Sequence, residues 1–101
     1  MKQVIILSPR AHEAKIKTIL KGLHIPVFSK IEMEGYRSEA DQIDITNWFG
    51  AGKEADFSVM FFAFVKEACA NDVLDAITKW NEENSGLLPL HAFQLPVDRV
   101  V

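Results

Sequence analysis

The sequence predicts an α+β fold: one antiparallel sheet of four strands with two helices on one face, in the order β-α-β-β-α-β. Three observations predict it. Two stretches carry apolar residues at helical spacing, and four short stretches are rich in β-branched or aromatic residues. They alternate as two strand-helix-strand units, and right-handed crossovers turn such units into the ferredoxin-like sandwich.

Each element has its own signal. Lys2 to Leu7, KQVIIL, is a β-branched run, and Ser8-Pro9 after it reads as a helix start, serine capping and proline in the first turn. From Ala11 to Leu23, Ile16, Ile19, Leu20 and Leu23 fall at i, i+3, i+4 and i+7, with Lys15, Lys17 and Lys21 outside the stripe and Gly22 as a stop. Pro26 opens VFSKIEMEGY, where Val27, Ile31 and Met33 point one way and Lys30, Glu32 and Glu34 the other, the pattern of a half-buried strand. Arg37 to Ala55 has no clean periodicity and is too long for an ordinary hairpin.

ADFSVMFFAFV follows, Ala55 to Val65, apolar on nearly every side chain after Ser58. It reads as an interior strand over Phe57 to Val65, with Phe57, Val59, Phe61 and Ala63 on one face and Met60, Phe62 and Phe64 on the other. Between Lys66 and Asn81, Cys69, Val73, Ala76, Ile77 and Trp80 keep helical spacing, while Asp72, Asp75 and Lys79 lie outside it. Asn84-Ser85-Gly86 is a turn, LHAFQL supplies a last strand, Leu90 to Leu95, and Pro96 begins the tail Val97 to Val101.

In this topology strands one and three are the central pair, and two helices cover only one side of the sheet. Met60, Phe62 and Phe64, or their opposite numbers, then lie on the open side, where burying each is worth about 1.5 to 3 kcal/mol. Such a face left in water invites aggregation, so a closed homo-oligomer is expected.

The totals exclude several classes. The chain has 101 residues, 49% hydrophobic and 25% charged, which suits one folded domain over 1–101. A net charge of -3 gives no global cationic field, so nucleic acid is not an expected partner. No charged-then-apolar leader opens the chain and no apolar run approaches the roughly 18 residues of a membrane helix. A cytoplasmic protein without direct membrane insertion is expected. Cys69 is alone and on an apolar stripe, so it reads as a small buried hydrophobe, not a nucleophile.

The opening MKQVIILSPRAHEAKIKTILKGLHIP, the segment KIEMEGYRSE and the closing PVDRVV, in that order and with the long gap after strand two, resemble the PII family of signal-transduction proteins and their PII-like relatives. The resemblance is to a divergent member. It implies a homotrimer whose sheets line a shared centre, a T-loop over residues 37–55, and clefts between subunits that bind a small-molecule effector. It also implies control of a target protein, such as a membrane transporter, through that loop.

The departures bear on the effector. The family's loop after the second helix is glycine-rich and carries a lysine for nucleotide phosphates, whereas this chain has NSGLLPLHAF, with His91 near the lysine's position. The family's arginines beyond the last strand are represented by Arg99 alone. A neutral histidine replaces a fixed cation poorly. The classical ATP site is thus degraded and the effector unknown, with an adenine nucleotide still a candidate. The family's modified tyrosine motif is not visible in the loop.

Candidate ligand-binding residues are Gly35, Tyr36 and Arg37 at the root of the loop, with His91 and Arg99. Arg37 would pair an anion and Tyr36 stack on it; the alternative is an edge tyrosine beside a solvated arginine. Candidate partner-binding residues are Trp48, Phe49, Gly50 and Lys53. Two large aromatics in an acidic loop either fold back or anchor a partner, and anchoring is the preferred reading. GAGK, Gly50 to Lys53, lacks the spacing of a phosphate loop.

His12, His24 and His91 show no ligand spacing, and no metal site is assigned. CutA proteins share the sandwich and the trimer, so a CutA-like divalent-metal-binding trimer is the alternative reading. No Ser/His/Asp or Cys/His pairing points to an enzyme, and Ser8-Pro9-Arg10 lacks the glycines of an acylphosphatase phosphate cradle.

Overall fold

The computed structural model describes residues 1–36 and 55–101. Strand β1 (Lys2–Pro9) leads through a 3₁₀ turn (Arg10–His12) into helix α1 (Glu13–Gly22), followed by β2 (Ser29–Tyr36), β3 (Ala55–Val65), α2 (Glu67–Glu83) and β4 (His91–Pro96). The sheet order is β2-β3-β1-β4, with every neighbouring pair antiparallel. Strands β1 and β3 are central, as the pattern of apolar runs requires.

One expectation at the first strand fails. Ser8 and Pro9 are strand residues, Pro9 opposite Ser58, and no side chain caps the following turn. The buried Ser8 hydroxyl donates to the Pro9 carbonyl at 2.7 Å instead. Pairing with β3 outweighs the local helix-start signal, and proline, lacking an N–H, is tolerated where the ladder ends.

The core lies between the sheet and the helices. Val4 and Ile6 of β1 and Val59, Phe61, Ala63 and Val65 of β3 meet Ile16 and Leu20 of α1 and Ala70, Val73, Ile77 and Trp80 of α2, all buried. Cys69 is half-buried at the margin of this cluster. These are the stripes that helical spacing selects, so burial follows periodicity.

Helix α1 ends in a Schellman arrangement. Ile25 N–H donates to Leu20 at 3.1 Å and His24 N–H to Lys21 at 3.0 Å, while His24 takes a left-handed φ of 59°. Ile25 and Leu20, the apolar pair of this motif, are both buried. The helix thus ends at Gly22, and the left-handed residue that closes it is His24, two positions on.

Among the described residues, no helix covers the other side of the sheet. That side presents Gln3, Ile5, Leu7 and Pro9 from β1 and Ser58, Met60, Phe62 and Phe64 from β3. Ile31 and Met33 of β2 and His91, Phe93 and Leu95 of β4 extend it to both edges. Phe64 is 54% exposed, Ile31 47%, Leu95 40% and Phe93 38%. The polar residues Lys30, Glu32 and Glu34 of β2 point to the helix side, beyond the helices' cover. Among the described residues, no helix is long and apolar enough to cross a membrane.

Candidate functional site

Strands β2 and β3 stay paired to Tyr36 and Ala55, so those residues form the root of the intervening segment. Gly35 is buried there, opposite Asp56. Tyr36 is exposed, and its hydroxyl donates to Glu34 Oε2 at 2.6 Å, which raises the phenol's pKa because the carboxylate favours the protonated form. Arg37, Trp48, Phe49, Gly50 and Lys53 lie outside the described residues.

Below this root is a cleft of about 300 Å³ lined by Arg10, Glu32, Met33, Glu34 and Ser58. A chain of ion pairs braces it. Arg10 Nη2 is 3.1 Å from Glu32 Oε1, Lys30 Nζ is 3.5 Å from the same oxygen and 3.2 Å from Glu13 Oε1, and Lys17 Nζ is 3.2 Å from Glu13 Oε2. The hydrogen bond from Lys30, then that from Lys17, lowers the Glu13 pKa, and Glu13 in turn raises that of Lys30. Exposed pairs of this kind contribute little singly. Together they tie the start of α1 to β2, and so to the root of the segment between β2 and β3.

Arg10, Glu13 and Lys30 do not stand out in the sequence as a group. The i, i+4 spacing of Glu13 and Lys17 is a local signal, but Lys30 arrives only through the sheet's topology.

His91 opens β4, opposite Leu7, on the far edge of the sheet from Tyr36. The strand's start is fixed by Asn81 of α2, whose amide donates to the Leu90 carbonyl and accepts from the Leu90 N–H, each at 2.8 Å. Arg99 lies at the sheet's opposite end, in a cleft of about 390 Å³ with Met1, Phe64, Val97, Val100 and Val101. The tail is held there by Val97 N–H donating to Met1 at 3.2 Å.

These placements do not converge within one protomer. Three inter-strand spacings separate the β2 and β4 edges, about 14 Å. Arg99 lies beyond the start of β1 while Tyr36 lies beyond its end, a strand length of about 24 Å away. A single site using Tyr36, His91 and Arg99 therefore needs more than one copy of the chain. For metal chemistry, the described residues bring no three His, Cys, Asp or Glu side chains together. His12 packs against Trp80, ring centres 5.1 Å apart, and His24 serves the α1 terminus.

No protein-family model and no curated protein sequence matches the chain. Among solved structures, it is similar to a crystal structure from Thermus thermophilus described as a PII-like signaling protein. The TM-score is 0.62 at 17% identity, over 93% of this chain and 82% of that one. At that identity the likeness establishes the fold.

Proposed function

We propose, from a PII-like fold with one uncovered apolar sheet face, that this chain is a regulatory protein that assembles as a homotrimer and signals through residues 37–55. The open face is the observation that carries the reading, because sister copies are the cover a ferredoxin-like sheet of this kind can recruit without another gene product. A ring of copies also sets the β2 edge of one beside the β4 edge of the next. Gly35, Tyr36 and Arg37 of one copy would then share an effector with His91 of its neighbour, with Arg99 serving a second contact.

In this reading the effector is a small anion, with adenine nucleotides the first candidates. It acts by binding one state of the loop better than the other. Trp48, Phe49, Gly50 and Lys53 would grip the target, a transporter or another regulated protein of the cytoplasm. The CutA-like reading finds no specific support in the described residues.

The test is a thermal-shift screen of the native protein against adenine nucleotides and, separately, divalent metals. The expected result is a melting point that climbs with nucleotide concentration. A rise with metals alone would replace this reading by the metal-binding one. Failure of both would remove the effector and leave a constitutive interaction module.

A further inference from the structure

Besides Ser58 and His91, the open face carries a polar residue flanked on both sides by exposed apolar ones. Gln3, on the central strand β1, stands between Phe64 of β3 and Leu95 of β4, with Ile5 two residues along. Phe64 is 54% exposed and Leu95 40%, and Phe64 is braced edge-on by Phe62 with ring centres 6.2 Å apart. The half-buried Gln3 amide makes no hydrogen bond to any described residue.

We infer that Gln3 is the polar key that sets how many copies assemble, in a seam whose affinity comes from Phe64 and Leu95. The inference rests on the proposal that copies of this chain cover the open face, and the area supports that occupant. The exposed parts of Phe64, Ile31, Leu95 and Phe93 leave about 270–450 Å² of apolar surface in water, taking about 150–250 Å² for each large side chain. A stable interface takes about 800 Å² per partner, a little over half of it apolar, so a second copy can use nearly all of this surface.

Covering the seam removes water from the Gln3 amide, and an amide without a partner there is costly. Phenylalanine and leucine offer it none. Around a symmetry axis the group that recurs beside the seam is Gln3 of the next copy, and an amide carries both donor and acceptor, so a closed ring can satisfy every copy alike. Assemblies of another size or offset leave the amides unpaired. A single polar residue in a coiled-coil seam fixes the number of strands by the same means.

The experiment is native mass spectrometry with sedimentation velocity on the native chain, Gln3→Leu, Gln3→Met and Phe64→Ala. The native chain is expected as one species. Both Gln3 variants are expected to assemble at least as tightly but as a mixture of sizes, and Phe64→Ala to assemble about tenfold more weakly at unchanged circular dichroism. Gln3 variants that keep the native single size overturn the inference while leaving the proposed assembly intact. A native chain that is monomeric at micromolar concentration overturns the assembly itself, and this inference with it.

Discussion

At the scale of single residues, His24 shows a side chain tolerated where glycine would fit better. It holds φ 59° after α1, exposed to solvent, in a conformation that costs a residue with a Cβ about 1 kcal/mol or more. Glycine loses more freedom on folding, which offsets part of that gain. His24→Gly is therefore expected to stabilise the fold by roughly 0.5 kcal/mol, and His24→Val to destabilise it by more than about 1 kcal/mol. Urea unfolding midpoints of the three proteins check both signs; a Gly variant weaker than the native chain would contradict the cap as described.

Among the elements, the two helices and the interior strand are legible because their apolar spacing is a property of the chain itself: Ile16, Leu20, Val73 and Ile77 fall where periodicity puts them. Ser8-Pro9 misleads because pairing with β3 is a long-range event that local capping chemistry cannot register. Gly22 does end α1, as its glycine signal suggests, but the left-handed position of the Schellman motif falls on His24, which nothing local marks. Less of the candidate site is legible. Tyr36 is recognisable as the end of β2, but its separation from His91 and Arg99 is set by strand order, and the ion-pair chain through Lys30 depends on α1 and β2 meeting in space.

That chain gives the contact between α1 and β2 a dependence on pH. Glu13 has a lowered pKa in the folded protein, so its contribution is fully present above the ordinary carboxylate range and is lost as pH falls through the lowered value. Lys30, with a raised pKa, holds its contribution below the ordinary lysine range and loses it as pH rises through the raised value. Across neutral pH both are in place. Glu13→Gln is expected to be slightly less stable than the native chain at neutral pH and to converge with it as pH falls below the ordinary carboxylate range. Unfolding curves that stay parallel below that range would show that the contact does not depend on the carboxylate.

For the whole molecule, a sheet that the described residues leave bare on one side bears on how stability depends on concentration. If copies cover that side, the assembled form is favoured by mass action, and the melting temperature rises with protein concentration. Calorimetry over a dilution series of about a hundredfold is expected to show this rise for the native chain and a flatter line for Phe64→Ala. A melting temperature independent of concentration in the native chain would mean that the face is stable in water by itself.

The clasp between Asn81 and Leu90 has a consequence for how this chain can vary. Because a helix side chain fixes where β4 begins, residues 84–89 carry no responsibility for aligning the sheet. Extra or missing residues there become slack in a surface turn and leave the strand where it was. The segment can change in length and composition at little cost to the architecture beneath it.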